Sequence, residues 1–315
     1  MIVTVTVNAA LDRTLTVPNF QAGFRHRASE SLALPGGKGV NIARALKTLG
    51  QPVIATGLAG GKTGTRIVED LTAEGILNDF VRIRGESRTS TAIIDPTSNI
   101  QTEVNEAGPE VSGRELNAFM DKFTYIAKGA EVVILAGSLP RKAKDSFYHD
   151  MVQALSTTPA MVVLDAAGEP FRLAIKAGPN LVSPNVFEAE ALIGHEFGDD
   201  EDFLNACRQL GRMGTGSAII THASGCYAHL RDDKNSESSY KVQIPPLDPI
   251  STVGSGDSFL AGFVSARIVG KGDEECLRYG VACGAANTQK YGAGVFDMHD
   301  VKRLLSKVTI ECGGI

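Results

Sequence analysis

Short apolar runs alternate with amphipathic helical stretches along most of this chain, and that rhythm leaves few folds open to it. Residues 2–7 alternate Ile or Val with Thr, and short apolar runs follow at 53–58, 131–135, 161–164, 180–182 and 217–221, as strands of a mainly parallel sheet would. Between them, 39–49 places Val40, Ala43, Leu46 and Leu49 on one helical stripe, and 65–74 reads as a helix stopped by Gly75. Helical stretches precede the runs at 131 and 161, and another starts at Val186. Past Asp257 helices dominate, over 258–269, 274–290 and 298–307. The alternation predicts an α/β fold with a mainly parallel sheet flanked by helices. Two segments, 13–34 and 89–104, hold β-prone runs without a helix and are expected to pair as a small β lid. The polar run 232–239 is expected to be a solvated loop. With no linker, repeat or low-complexity tract, residues 1–315 are expected to form one α/β domain carrying that lid.

Composition removes several classes. The chain is 43% apolar and 21% charged, enough to bury a sizeable core. A net charge of −5 argues against a nucleic-acid partner. No stretch of about 18 apolar residues exists, so no membrane span is expected. Residues 1–7 lack a basic segment and read as a strand, not a signal peptide. The cysteines at 207, 226, 276, 283 and 312 form no CxxC pair, which fits reduced thiols and a cytoplasmic location. No HExxH motif supports zinc.

The 34 glycines exceed the usual share, and some cluster where chemistry is expected. In Thr252-Val253-Gly254-Ser255-Gly256-Asp257-Ser258-Phe259 a glycine-rich turn runs into an apolar helical pattern. Amides at a helix start form an anion site, and Asp257 could take a proton from a hydroxyl beside it. The same residues would serve as a plain turn with Asp257 as N-cap. Leu34-Pro35-Gly36-Gly37-Lys38-Gly39-Val40-Asn41 also opens a helix, as a sugar or phosphate cradle or as a flexible turn. Asn8 to Asp12 follow the first strand, where α/β folds bind ligands; an Asx-type turn is the plainer reading. Asn185 and Glu188 could orient water around Mg²⁺ or simply cap a helix. Residues 57–63 imitate a P-loop but are one residue short, and Gly254-x-Gly256 meets Phe259 where a dinucleotide motif needs its third glycine.

Taken together, an early Gly-Gly-Lys-Gly-x-Asn and a late Thr-Val-Gly-x-Gly-Asp resemble the PfkB (ribokinase-like) carbohydrate kinase family, in order and over nearly the whole chain. Residues 4–12 and 36–41 look like its sugar-phosphate kinase branch, which includes 1-phosphofructokinase and tagatose-6-phosphate kinase. The resemblance implies a parallel sheet with a β lid and an enzyme that uses ATP and Mg²⁺, with a monovalent cation as a further candidate. It implies that Asp12, Gly37, Lys38 and Asn41 hold the sugar, with Ser138 lining the same pocket. Arg88 would meet the substrate phosphate, and Arg25 and Arg27 would reach a neighbouring subunit's site in a homodimer joined through the lid. Asp257 would be the base and Gly254, Ser255 and Gly256 the anion hole. Asn185 and Glu188 would serve Mg²⁺ through water, and ATP would lie along 221–225, including Thr221, Ser224 and Gly225, and along 286–294, including Asn287.

The chain departs from the family pattern in places. Asn8-Ala9-Ala10 replaces Asn-Pro-Ala, and Ser255 replaces the Ala of Gly-Ala-Gly-Asp. Ser183 stands where a Lys is usual, which removes a cation near the ATP phosphates, and 221–225 is altered and shorter than the usual Ser-Leu-Gly-x-x-Gly. Fructose 1-phosphate, phosphorylated at C6, is the first substrate expectation; tagatose 6-phosphate and fructose 6-phosphate are rivals. The departures keep open a sugar-phosphate-binding regulatory protein with weak kinase activity. A Rossmann oxidoreductase fits poorly, because no GxGxxG follows the first strand.

Overall fold

The computed structural model describes residues 1–232 and 235–313. Its first half runs β1 (Ile2–Thr6), β2 (Ala10–Thr16), β3 (Glu30–Gly36), α1 (Lys38–Thr48), β4 (Val53–Gly60), α2 (Gly61–Ala73), β5 (Leu77–Ile83), β6 (Arg88–Asp95), β7 (Ile100–Asn105), α3 (Gly113–Ala127) and β8 (Val132–Ala136). There follow α4 (Phe147–Leu155), β9 (Met161–Asp165), α5 (Gly168–Ala174), β10 (Leu181–Val182), α6 (Val186–Ile193), α7 (Asp200–Arg212), β11 (Ser217–His222), β12 (Gly225–Arg231) and β13 (Glu237–Gln243). The chain then runs through α8 (Ser255–Ile268), α9 (Asp273–Asn287), α10 (Met298–Leu305) and β14 (Thr309–Gly313).

The expected α/β architecture is present. A ten-stranded sheet has the order β14-β13-β12-β11-β10-β9-β8-β1-β4-β5. Every pairing from β11 to β5 is parallel, and β12, β13 and β14 extend the sheet antiparallel. The period of two in the strands divides the core. Ile2, Val132, Ile134 and Val163 face a layer that includes α1, α8 and α9, whereas Val3, Val5, Val133, Leu135 and Leu164 face α3, α4 and α7. A second sheet has the order β3-β2-β6-β7 and joins the two β-prone segments, with β2 and β6 parallel.

Element boundaries shift where side chains intervene. The helix expected at 65–74 begins at Gly61, because the Glu86 carboxylate accepts from the Lys62 and Thr63 amides. That carboxylate fills the place a phosphate would take, so the P-loop imitation is a capped helix. The polar run 232–239 is not all loop: β13 starts at Glu237, and Ser239 is buried and bonded to His229. Asp233 and Lys234 of that run lie outside the described residues. The cysteines are free, with only Cys312 exposed. Among the described residues, no helix is long and apolar enough to cross a membrane.

Candidate active site

The carboxyl ends of the central strands converge. Asn8 follows β1, Ser138 follows β8, Asp165 ends β9, Asn185 follows β10 and Thr221 lies near the end of β11. Parallel sheets present their loops to ligands at this edge. A cleft of about 900 Å³ runs along it, closed on one side by the second sheet. A smaller cavity of about 680 Å³ adjoins the cleft and shares Gly37, Lys38 and Arg88 with it.

The α8 start forms the floor of the cleft. Gly254 is the N-cap, at φ +79°, and a Cβ there would fall 2.5 Å from the Ala293 Cα. Both the left-handed backbone and this close approach require glycine. Asn287 is fully buried and does not face the cleft. Its amide donates to the Val253 carbonyl, and its Oδ1 accepts from Ser258 Oγ and the Gly294 amide, each at 2.8 Å. It therefore braces the 253–254 turn against the 294 turn. A Cβ on Gly256 would meet nothing within 4 Å. The backbone of Gly256 borders open space there, which fits a phosphate group at a helix start, while the Ser255 amide donates to the Thr252 carbonyl at 3.3 Å.

Asp257 lies inside the first turn of α8 and is not its N-cap. Its carboxyl is buried and accepts from the Asn41 side-chain amide at 2.8 Å. Burial, with the charge of Asp165 added, pushes its pKa up to about 7, against the lowering effect of Lys38 and Asn41. A carboxyl tuned to this range suits proton transfer at neutral pH. Asn41 Oδ1 is buried with no partner.

Lys38 bridges two carboxylates, Asp165 Oδ1 at 2.6 Å and Glu188 Oε1 at 3.0 Å. Burial disfavours its charge, but Asp165, Glu188 and Asp257 outweigh that and hold its pKa above the usual lysine range. Asp165 was not singled out in the sequence. The signal was there: it directly follows the apolar run 161–164, at a sheet strand's carboxyl end.

Asn185 and Glu188 form a reciprocal capping box on α6, at 2.9 and 3.0 Å. The capping reading is therefore correct, and the second Glu188 oxygen still faces Lys38 in the cleft. Asp165, Asn185 and Glu188 line the cleft together and offer the oxygen donors that Mg²⁺ takes while keeping several of its own waters, with the Lys38 ammonium seated between the two carboxylates. Among the described residues, no group of three or more His, Cys, Asp or Glu forms a cage for a metal.

The sugar-side residues gather where the two cavities meet. Asp12 sits on β2, its pKa raised by burial against the lowering effect of Arg88 and the Gly37 amide. Arg88 donates to the Asn8 carbonyl at 3.1 Å and to Ser90 Oγ at 3.0 Å. Ser138 lines the second cavity and accepts from the Asn8 side chain at 3.1 Å. Arg25 and Arg27 are exposed in the β2–β3 loop and line neither cavity.

Thr221 and Gly225 line the far end of the cleft, with His222 between them in the lining. Ser224 is off the wall and bonds to His222 Nδ1 at 3.1 Å. The His222 ring packs against Phe203 and Tyr227, and burial lowers its pKa against the raising effect of Asp200.

The sequence profile of the pfkB family carbohydrate kinases matches residues 4–300. A 1-phosphofructokinase of Borreliella burgdorferi is 30% identical over 311 residues, which cover 99% of this chain and 98% of that protein. The solved structure of a possible 1-phosphofructokinase from Thermotoga maritima superposes with a TM-score of 0.91 at 25% identity, over 100% of both chains. Phosphofructokinase-2 from Escherichia coli, in complex with substrates and products, gives 0.89 at 26% identity, over 97% of this chain and 98% of that one.

Proposed function

The chain belongs to the pfkB family of carbohydrate kinases, and from that premise we propose that it is an ATP- and Mg²⁺-dependent sugar-phosphate kinase that phosphorylates fructose 1-phosphate at C6. Family members transfer a phosphoryl group to a sugar hydroxyl. The observation that carries the reading is the placement of Asp257, a buried carboxyl with a pKa of about 7, in the first turn of α8.

Asp257 takes the proton of the acceptor hydroxyl as that oxygen attacks the γ-phosphorus in line. Asn41 holds the carboxyl in place. The amides of Gly254, Ser255 and Gly256 carry charge on the transferring oxygens. Asp12 and Asn41 orient the sugar. Arg88 and Ser138 take its phosphate in the second cavity, where the remaining guanidinium nitrogen of Arg88 offers a charge-assisted donor. Asn185, Glu188 and Asp165 would hold Mg²⁺ through water, and the ion would supply charge neutralisation for the ATP phosphates. The cleft from Gly256 to Gly225 receives ATP. The second sheet acts as a lid, and two copies pair through it, bringing Arg25 and Arg27 to the partner's sugar site. The enzyme works in the cytoplasm.

Asp257→Asn tests this. It keeps the fold and the binding of fructose 1-phosphate and lowers kcat on the order of 10²-fold or more; near-normal turnover would remove Asp257 as the base. A substrate panel scored by kcat/KM separates fructose 1-phosphate from fructose 6-phosphate and tagatose 6-phosphate.

A further inference from the structure

We propose that Lys142 is a specificity-determining residue of this kinase: a clamp on the wall of the second cavity that leaves Glu110 to grip the phosphate of the bound sugar phosphate. The proposal rests on the sugar-phosphate reading above and adds to it a residue that reading does not use.

The first observation is the backbone. Among the described residues, the non-glycine positions with left-handed φ are Asn19, Asn99, Asn235 and Lys142, the last at +67°. Asparagine tolerates this region because its short side chain bonds locally; lysine has no such compensation. Lys142 Nζ pairs with Glu110 Oε2 at 2.6 Å, and both side chains are more than half exposed, at 66% and 51%. An exposed pair of this kind returns little stability. Glycine would therefore suit the fold better at 142, and stability does not account for a lysine there.

The second observation is the cavity that Lys142 lines. Arg88, Ser138 and Arg141 share its wall. On the same wall, Thr6 Oγ1 and Asn8 Oδ1 are buried and without a hydrogen-bond partner. Both oxygens are sealed against the backbone of Gly39 and Gly108, so the charged side chains decide what the cavity takes: Lys38, Arg88, Arg141 and Lys142 outnumber Glu106, Asp145 and Glu188, which matches a ligand with an anionic end.

The third observation is what can move. Asn8 ties Ser138 and the Leu139 carbonyl, Arg141 N donates to Pro109 O, and Val111 N donates to Arg141 O. The backbone approaching Lys142 is thus fixed, while among the described residues its side chain is held by Glu110 alone. A phosphate dianion beside Arg88 and Ser138 competes with a single exposed carboxylate for that ammonium, and charge-assisted bonds to phosphate are the stronger kind.

Calorimetry of the full-length protein with fructose 1-phosphate, fructose 6-phosphate, tagatose 6-phosphate and unphosphorylated fructose tests the clamp. Lys142→Gly melts no lower than wild type, yet its Kd for the bound sugar phosphate rises about tenfold, as expected for one lost charge-assisted bond. Its loss in kcat/KM falls on KM, and fructose binding is unchanged. Lys142→Arg restores most of the affinity. Glu110→Gln, which frees the lysine, tightens binding about two- to threefold at low salt. Lys142→Gly binding each sugar phosphate as tightly as wild type would overturn the proposal. Wild-type protein that binds none of them would instead overturn the sugar-phosphate reading, and the clamp with it.

Discussion

Asp257 shows how one residue can serve chemistry at the expense of the fold. Its pKa of about 7 lies above the usual carboxylate range, burial being the first cause. Between about pH 4 and 7 the folded protein therefore holds a proton that the unfolded chain has released, so this group lowers stability as pH rises through that window. Asp257→Asn removes the loss: its melting temperature exceeds that of wild type by roughly 2 °C or more at pH 8 and by less at pH 5, which paired thermal scans will measure. The same pKa places the acid limb of kcat/KM near pH 7, since the base must be unprotonated; a flat profile between pH 5 and 8 would contradict it. Asp257 and its glycines were legible in the sequence because they are contiguous. Asp165 had only its place after an apolar run to mark it, because its meaning comes from Lys38 and Glu188, residues that the folded sheet brings to it.

At the scale of elements, α6 combines two readings that its sequence left as alternatives. Its capping box satisfies the amides at the helix start, and its remaining carboxylate oxygen faces the cleft. Asn185→Ser separates them. Serine is also a good N-cap, so the denaturation midpoint changes by no more than about 0.5 kcal/mol in stability. The shorter side chain no longer reaches the metal's waters, so the Mg²⁺ concentration for half-maximal rate rises several-fold; an unchanged Mg²⁺ titration would reduce Asn185 to a cap. The strands from β1 to β11 were legible as alternating or apolar runs except β5, whereas the antiparallel β12, β13 and β14 were not read and element ends were set by distant side chains. Glu86 starts α2 four residues early, and Asn287, held by Val253, Ser258 and Gly294, ends α9 before residue 290. No local pattern carries such partners.

For the whole molecule, the second sheet matters most. Ile100 and Val104 lie on one face of β7, 59% and 60% exposed, and Phe24 is 71% exposed in the β2–β3 loop. Exposed apolar groups of this size on a sheet favour a partner surface. With pairing through this sheet, Val104→Glu gives monomers by light scattering and raises the KM for fructose 1-phosphate by taking away the partner's Arg25 and Arg27. A dimer that persists would move the interface elsewhere.

The ten-stranded sheet also sets an order of events. β1 lies between β4 and β8, and its alternate side chains belong to opposite faces. β1 can therefore pair on one edge once β4 has been made, but its other edge waits for β8 at residue 136 and its face toward α8 and α9 waits for residue 287. Closing so long a loop is slow, and β1 leaves the edge meant for β8 exposed meanwhile. The stretch that anchors the finished enzyme is thus the one its nascent chain must shield for longest.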